Sequence, residues 1–196
     1  NYTQRFYEGE TDYTAMRRLI ADSYKLAAPH SYMLLGDLDW WRALLPVPAA
    51  FLPTIPLWFA GDALVGFLWP RPGSSEIFSH PHHGAAEPHM LAYAEQHLRT
   101  PATAAEPAAL TLVSLESDTH RNELLAARGF LRTEGFLASH IIDLGQPTPA
   151  PQLPAGFAIR DMAGALGAAE LEARVNVHRA AFHPSKVTAA TYAAAR

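Results

Sequence analysis

The sequence predicts a mixed α/β (α+β) fold with a central sheet and flanking helices, and three stretches carry that prediction. Leu110–Leu115 is a continuous apolar run of strand length, which favours a strand covered on both faces. Leu57–Ala60 and Leu64–Trp69 are further apolar runs, and Gly61-Asp62 between them is typical of a two-residue hairpin. A helix precedes Leu110–Leu115, so we expect that strand to cross over and pair parallel, which makes the sheet mixed.

The first part of the chain reads as a strand followed by two helices. Thr3–Glu8 alternates and predicts a first strand, and Thr11 or Asp12 begins a helix that Pro29 ends. Asp37–Leu45 predicts a second, shorter helix. The apolar positions on one face of the first helix are Met16, Leu19, Ile20, Tyr24 and Leu26.

The middle of the chain alternates prolines and short apolar runs. We expect the proline-rich segment up to Pro56 to be extended, and Pro70–Ser75 to be a turn. Glu76–Ser79 predicts a short strand, and His80–Pro88 a loop. A helix runs from Pro88, which suits a first helical turn, to about Arg99. The positions expected to be buried on that helix are Met90, Leu91, Ala94 and Leu98.

A strand-helix-strand unit follows. Ser117–Thr119 supplies oxygen side chains that cap the first turn of a short helix. Arg128 favours the C-terminal end of that helix, and Gly129 is the expected stop. Phe130 restarts extended structure, and Phe136–Leu144 predicts the last strand.

The resulting order, β-α-α-β-β-β-α-β-α-β-β over residues 1 to about 145, resembles the GNAT N-acetyltransferase superfamily. The residues of the last unit that match this family are Leu112, Ser114, Asn122, Leu125, Gly129 and Phe130. The resemblance implies that the two parallel strands splay apart. It further implies that the backbone groups freed there hold the pantetheine arm of acetyl-CoA.

The chain then begins a similar pattern again. Gly156–Asp161 predicts another first strand, Ala168–Phe182 a long helix, and Val187–Arg196 a second helix with Thr188 near its cap. On the long helix, Leu171, Val175, His178 and Phe182 share one face. We therefore expect a GNAT-like domain at 1–145, a proline-rich linker at 146–155 and the beginning of a second GNAT-like domain at 156–196. We expect either a tandem protein that continues beyond Arg196, or a C-terminal arm that packs on the first domain or on a partner chain.

The resemblance assigns cofactor and catalytic roles residue by residue. It implies a general base acting through water at Glu76. The cofactor-binding positions are Phe78, His80, Gly84, Ala85, Ala86 and Asn122. The loop departs from the family pattern, because the customary arginine is absent, Glu87 adds a negative charge and Pro88 lacks an amide. Leu125 occupies the place of a tyrosine that gives the leaving thiolate its proton.

Acceptor-binding residues are expected in the helical regions near the start of each domain. These are Trp41, His178 and His183, and the ordinary alternatives are a packed Trp41, a packed His178 and a surface His183. Asn122 has an ordinary alternative too, as a helix-capping or surface residue, and Glu76 as a half-exposed strand carboxylate.

Composition excludes several classes of function. The 196 residues are 49% hydrophobic and 17% charged with a net charge of −4, so a broad nucleic-acid-binding face is not expected. There is no cysteine, which excludes disulfides and thiolate chemistry and fits a cytoplasmic location. The most apolar stretch, Leu44–Ala60, carries four prolines and cannot be a regular membrane helix. A cluster of histidines at 80, 82, 83 and 89 matches no defensible zinc spacing, so no metal is expected.

The sequence therefore predicts an N-acetyltransferase that moves acetyl from acetyl-CoA to a primary amine of a small molecule or peptide. Whether this first domain is itself catalytic stays open, because its cofactor loop is altered. The alternatives are a non-catalytic GNAT-like ligand-binding or scaffold domain and, as a third class, a metal-binding module on the histidine loop. Association into a homodimer is compatible with the pattern, and the sequence does not identify the acceptor.

Overall fold

The computed structural model of the protein describes residues 1–27, 31–45, 48–71, 73–101, 108–138, 140, 142–143, 145–147, 149–159 and 167–194. The chain divides into two compact units, Asn1–Arg132 and Thr133–Arg196. This division falls before the boundary at residue 145 that the sequence suggested. No helix in the described ranges is long and apolar enough to span a membrane.

The first unit contains the sheet and most of the helices. Its strands are β1 Thr3–Phe6, β2 Pro56–Ala60, β3 Ala63–Arg71, β4 Ser74–Ser79 and β5 Thr111–Leu112. Its α-helices are α1 Glu10–Ala27, α2 Leu35–Leu44, α3 Pro48–Phe51, α4 Glu87–His97 and α5 Thr119–Ala127. Two 3₁₀ helices span Leu52–Thr54 and Pro81–Ala86.

The five strands form one mixed sheet in the order β1-β2-β3-β4-β5. The first four pair antiparallel, and β4 pairs parallel with β5. Gly61 has a positive φ of 60° in the β2–β3 hairpin, as the Gly61-Asp62 signal requires. The predicted mixed α/β fold is confirmed, and the predicted strands and longer helices occur in the predicted order from β1 to α5, with α3 and two 3₁₀ helices added among the described residues.

The sheet is covered on both faces. One core cluster joins β2, β3 and β4 to α1 and α2, and contains Met16, Ile20, Leu38, Phe67, Trp69 and Phe78. The other joins the opposite face to α4, and contains Trp58, Leu68, Ile77, Met90, Leu91 and Ala94. Strand alternation assigns neighbouring residues of β4 to opposite clusters, so Phe78 faces α1 while Ile77 faces α4.

The buried face of α1 differs from the predicted one near its end. Tyr24 and Leu26 are 43% and 52% exposed, whereas Ser23 is buried. Ser23 follows Met16 and Ile20 at helical spacing and so continues the inward stripe, and Tyr24 turns away from it. Pro29, the predicted helix stop, lies outside the described residues.

The proline-rich connector is helical rather than extended. Pro48 opens the short helix α3, where its missing N–H is not needed. The 3₁₀ turn Leu52–Thr54 follows and buries Leu52. The expected loop His80–Pro88 likewise contains a 3₁₀ helix, which His80 caps by accepting a hydrogen bond from the His82 amide.

The predicted strands of the C-terminal half are short or absent. Only Thr111–Leu112 of Leu110–Leu115 pairs, and Val113 is 47% exposed. The described residues of Phe136–Leu144 and of Gly156–Asp161 form no strand. The side chains of Phe136, Leu137, Ile142, Phe157 and Ile159 are exposed. Extended chain is stable only where a neighbour takes its N–H and C=O groups, and none of these described segments has a ladder partner. Residues 139, 141, 144, 160 and 161 of these predictions lie outside the described residues.

The second unit contains α6 Ala168–Ala181 and α7 Ala189–Ala194. Both helices were predicted, and Thr188 caps α7 by accepting a hydrogen bond from the Thr191 amide at 3.1 Å. Val175, Val187 and Thr191 are buried. Phe182, expected on the buried face of α6, is 67% exposed because it follows the helix end and has left the helical period.

Candidate functional site

The gap between β4 and β5 is the most distinctive feature of the sheet. The Thr111 amide donates to the Gly73 carbonyl at 2.9 Å, and the two strands then pair at Ser74 with Thr111 and at Ser75 with Leu112. Beyond Ser75, β4 continues to Ser79 with no β5 partner among the described residues. The two strands therefore part after two residue pairs.

Backbone groups of β4 point into this gap. The His80 amide donates to the Val65 carbonyl at 2.8 Å, so the main-chain groups of His80 face β3. Along a strand these directions alternate, and the main-chain groups of Ile77 and Ser79 therefore face the gap.

Arg121 of α5 reaches into the gap from the opposite side. Its Nη1 donates to the Ile77 carbonyl at 3.3 Å. Its Nη2 and Nε donate to the Glu87 carboxylate at 2.6 and 3.1 Å. Both side chains are buried, at 3% and 5% exposure, and Ser79 Oγ also donates to Glu87. Burial lowers the pKa of Arg121, but the hydrogen bonds to Glu87 outweigh it and leave that pKa raised.

The position of Glu87 corrects one expectation from the sequence. Its carboxylate does not add a negative charge to the surface of the His80–Pro88 loop, because it points inward and pairs with Arg121. Sequence reasoning missed Arg121. A signal was available, because Arg121 shares a helix face with Leu124 and Leu125, and an inward arginine needs a buried acid.

Tyr32 lies just before α2 and contacts the turn between β5 and α5. Sequence reasoning missed this residue as well. Its hydroxyl donates to Asp118 at 2.7 Å and accepts from the Leu115 amide at 3.0 Å. The Arg121 guanidinium lies 3.8 Å from the centre of the Tyr32 ring. Tyr32 and Arg121 together link α2, β4, β5 and α5 around the gap.

Asn122, a predicted cofactor contact, serves the same turn. Its Nδ2 donates to the Leu115 carbonyl at 3.0 Å and to the Glu116 carbonyl at 3.3 Å. Both amide hydrogens are therefore used inside the chain. This geometry corresponds to the capping role that the sequence left as the alternative.

The residues of the predicted cofactor loop are mostly occupied with one another. Phe78 is buried with its ring 5.4 Å from that of Phe67, so only its main chain is available to a ligand. The amide of His82 donates to His80 Nδ1 at 3.1 Å, and that of His83 to the His80 carbonyl at 2.8 Å. The amide of Glu87 donates to the Gly84 carbonyl.

Gly84, Ala85 and Ala86 lie in the 3₁₀ helix that these bonds close. A side chain on Gly84 would meet the His120 ring at 3.4 Å, and Ala86 is buried. Segment 80–86 also carries no lysine or arginine. This loop therefore lacks the cationic side chains that bind an anion, and its His82 and His83 amides are already bonded within it.

The histidines of the loop contact one another. The His80 ring lies 5.3 Å from that of His82 and 5.4 Å from that of His83. Burial lowers the pKa of His80, and the charges of His83 and His82 lower it further. Among the described residues, no group of three or more His, Asp or Glu side chains is arranged to hold a metal ion.

Glu76 lies on the α1 side of the sheet, two residues before Phe78 on β4. It is half-buried and opposite Trp69 of β3. Burial raises its pKa, and the positive charges of Arg71 and Arg121 oppose that effect. Within the described part of the chain its carboxylate makes no hydrogen bond or ion pair. A half-buried carboxylate with a raised pKa and a free acceptor has the properties of a general base.

Trp41 of α2 lies on the same side of the sheet as Glu76. Its ring centre is 5.6 Å from that of Trp69, and the Arg71 guanidinium lies 4.8 Å from the Trp41 ring centre. The structure therefore brings Trp41 and Glu76, two of the predicted site residues, to one face with Arg71.

His178 and His183, the other predicted acceptor contacts, belong to the second unit. His178 Nδ1 is 3.0 Å from the Tyr192 hydroxyl, and its ring is 4.9 Å from that of Phe182. His183 is exposed beside a cis peptide bond to Pro184. Within their unit, these contacts give His178 a packing role between α6 and α7.

A shallow open depression lies at the far edge of the sheet from this gap. It is lined by Thr3, Gln4, Arg5, Phe59, Gly61 and Asp62. Of its charged lining residues, Asp62 is exposed and Arg5 is already paired with Asp12, and the depression lies at the β1–β2 edge. The β4–β5 gap and the Glu76 face remain the better candidate site, because the amides of Ile77 and Ser79 face the gap and the Glu76 carboxylate makes no hydrogen bond or ion pair among the described residues.

Comparison with known proteins gives limited matches. No protein-family model matches the chain, and no curated protein matches it significantly. Among solved structures, it is similar to a ribosomal-protein-alanine N-acetyltransferase from Brucella melitensis biovar Abortus 2308, with 15% identity and a TM-score of 0.35. It is also similar to an aminoglycoside acetyltransferase from an uncultured soil metagenomic sample, with 11% identity and a TM-score of 0.38. Each match covers 73% of this chain and 98% of the other. A likeness at this level carries no inference about activity, substrate or site residues.

Proposed function

We propose that this chain is an N-acyltransferase of the GNAT type, which transfers the acetyl group of acetyl-CoA to a primary amine. The observation that carries this proposal is the parting of β4 and β5 after two residue pairs. It leaves the main-chain groups of Ile77 and Ser79 facing a gap. Glu76 lies next to them on β4, with its carboxylate free of partners in the described chain.

The chain's own residues supply the proton transfer. Acetyl-CoA, when bound, supplies a thioester whose carbonyl carbon accepts the amine. Glu76 takes a proton from the substrate ammonium, directly or through one water, and so produces the neutral nucleophile. A main-chain amide of β4 in the gap is placed to donate to the carbonyl oxygen as negative charge develops there. Leu125 has no proton to give, so the leaving thiolate is protonated by solvent.

Binding of the donor rests on its pantetheine arm. The amides of His82, His83 and Glu87 are bonded inside the loop, and no cationic side chain accompanies them. We therefore expect the diphosphate of acetyl-CoA to contribute little to affinity. The donor site thus recognises mainly the amide groups of the arm through the β4 edge.

A second candidate function, a non-catalytic ligand-binding or scaffold domain, is favoured by one specific observation. Arg121 already donates to the Ile77 carbonyl, and the Tyr32 hydroxyl already accepts from the Leu115 amide. Two backbone groups beside the gap are therefore satisfied within the chain. A domain that never binds an acyl donor has no need to leave them free.

We also propose the tandem arrangement and a cytoplasmic location. Two helices of the second unit, α6 and α7 with its Thr188 cap, support a second domain that has two successive helices, as the first has in α1 and α2. The absence of cysteine supports the location.

Release of free thiol from acetyl-CoA in the presence of a panel of primary amines tests the two candidates. We expect amine-dependent release that falls about a hundredfold in Glu76→Gln, because the base is lost while the shape is kept. Glu123→Gln, at an exposed carboxylate on α5, is the matched control and keeps full activity. Binding of acetyl-CoA without amine-dependent release would favour the non-catalytic candidate.

A further inference from the structure

We propose that the acceptor amine is a free α-amino acid, whose ammonium group binds Glu76 and whose carboxylate binds Arg71. This inference rests on the proposed function, because it names the substrate class of the same site. It is carried by two opposite charges on one face of the sheet, neither of which makes a hydrogen bond or an ion pair among the described residues.

The β3–β4 ladder places the two side chains close together. Trp69 pairs with Glu76, and Arg71 pairs with Ser74. Residues two apart on a strand share a face, so Arg71 lies on the face of Trp69 and Glu76. Arg71 and Glu76 are thus diagonal neighbours across the ladder, a relation that spans about 7–8 Å and lies within reach of long side chains.

The opposite charges of Arg71 and Glu76 attract each other through space, but the two side chains form no ion pair among the described residues. Arg71 is exposed, and neither it nor Glu76 makes a hydrogen bond or an ion pair in the part of the chain that the structure describes. This contrasts with Asp12 and Asp39 of the same unit, which pair with Arg5 and Arg17. A ligand that carries both an ammonium and a carboxylate would satisfy both groups at once.

Trp41 holds Arg71 in an orientation suited to a carboxylate. The guanidinium lies 4.8 Å from the Trp41 ring centre, and the ring is itself packed 5.6 Å from Trp69. A guanidinium that stacks through its face keeps its edge N–H groups free for bidentate donation. Stacking also reduces the side-chain freedom that binding would otherwise cost.

The charge pattern separates this class from other amines. A peptide N-terminus has an amide where the carboxylate would be, and leaves Arg71 unpaired. A polyamine would bring a second cation next to Arg71, which is unfavourable. A free α-amino acid carries its ammonium and its carboxylate on the same carbon atom. It can therefore bind Glu76 and Arg71 at the same time on one face of the sheet.

Titration of the whole chain with three related probes, followed by calorimetry and by tryptophan fluorescence, tests the proposal. Leucine carries both charges, leucinamide lacks the carboxylate, and N-acetylleucine lacks the ammonium. We expect leucine to bind about ten- to a hundredfold more tightly than either analogue, the usual range for a lost charge-assisted hydrogen bond. Arg71→Gln is expected to remove the preference for leucine over leucinamide. Arg71→Lys keeps the charge without the bidentate fork, and is expected to retain part of it.

The control variant is Arg18→Gln, at an arginine of α1 whose side chain is 84% exposed, and it keeps the full preference. Equal affinity for leucine and leucinamide, or a preference that Arg71→Gln leaves unchanged in a folded protein, overturns the proposal. Preferential leucine binding with no acetyl transfer to any amine keeps Glu76 and Arg71 as a binding site for a free α-amino acid, but refutes the proposed function and with it the role of that amino acid as acceptor. Transfer to simple amines without a preference for leucine does the reverse.

Discussion

Removal of the Arg121 guanidinium from the sheet–helix interface is expected to destabilise the first unit severely. Arg121→Met keeps most of the side-chain volume but leaves the Glu87 carboxylate buried at 5% exposure, with the Ser79 hydroxyl as its one remaining side-chain partner among the described residues. The variant loses two hydrogen bonds to Glu87, one to the Ile77 carbonyl and the stacking on Tyr32. Breaking a buried ion pair in this way costs about 3–5 kcal/mol in the free energy of unfolding.

The cost arises because the Glu87 carboxylate stays buried without its cationic partner. Removing both charges is therefore expected to restore much of the stability. The loss of unfolding free energy in the double variant Arg121→Met/Glu87→Gln is expected to be smaller, by about 2 kcal/mol or more, than the sum of the losses in the two single variants. Urea unfolding followed by tryptophan fluorescence measures each free energy by linear extrapolation, and Trp58 and Trp69 are buried reporters. Arg132→Met, at an exposed pair with Glu116, is the control and changes the free energy by less than about 0.5 kcal/mol.

Additive effects of the two single changes would refute this reasoning, because the pair would then not be coupled. A cost for Arg121→Met as small as that of Arg132→Met would refute it as well. Either result would also remove Arg121 as the group that occupies the β4 edge of the gap.

Three further predictions follow from local geometry and charge. The hydrogen bond from Arg5 lowers the pKa of Asp12 in the folded chain. The stability that this pair contributes is therefore complete above the unfolded-state pKa of about 3.9 and is lost as the pH falls through the lower folded-state pKa. Unfolding curves measured from pH 6 to 2 are expected to show a smaller loss of stability in acid for Asp12→Asn. Gly73→Ala places a Cβ 2.6 Å from Thr100 at a φ of +72°. Its cost in stability is expected to be well over the roughly 1 kcal/mol expected of Gly129→Ala, where φ is +82° and nothing lies within 4 Å. Thermal unfolding compares the two variants, and equal losses of stability would contradict the contact with Thr100. Burial raises the pKa of Glu76, so the acid limb of the kcat/KM profile is expected to have a pKa above the ordinary glutamate value of about 4.3. This limb is expected to vanish in Glu76→Gln. An unchanged limb in that variant would exclude Glu76 as the base.

The sequence predicted the part of the fold that local patterns specify. The Gly61-Asp62 hairpin, the Asp118 cap of α5 and the Gly129 stop each depend on a few neighbouring residues, and each is present. Apolar periodicity likewise identified the buried face of α4 through Met90 and Leu91.

Extended segments were harder to predict, because a strand depends on its neighbour as well as on its own residues. Leu110–Leu115 has the composition of a central strand, yet only two of its residues find a ladder partner. Phe136–Leu144 has a suitable pattern too, and its described residues pair with nothing. Composition reports the propensity of such a segment, whereas pairing depends on distant parts of the chain.

The sequence named candidate site residues but not the contacts that surround them. Glu76 and Trp41 were named from the sequence, and the structure places both on one face. The ion pair between Glu87 and Arg121 joins residues far apart in the chain. A local sequence pattern does not identify which acid pairs with a buried arginine. Tyr32 was missed for the same reason, because its partners lie in the β5–α5 turn.

The measurement that tests the account most directly is a calorimetric titration of the chain with acetyl-CoA and, separately, with acetyl-pantetheine. If the β4 edge holds the pantetheine arm while the histidine loop does not hold the diphosphate, the two donors bind with similar affinity, within about threefold, a difference of about 0.7 kcal/mol. Binding of acetyl-CoA alone would contradict the account, because the loop 80–86 would then have to open and cradle the diphosphate. Binding of neither donor would leave the gap closed by Arg121 and Tyr32, and would refute the acyltransferase proposal for this chain.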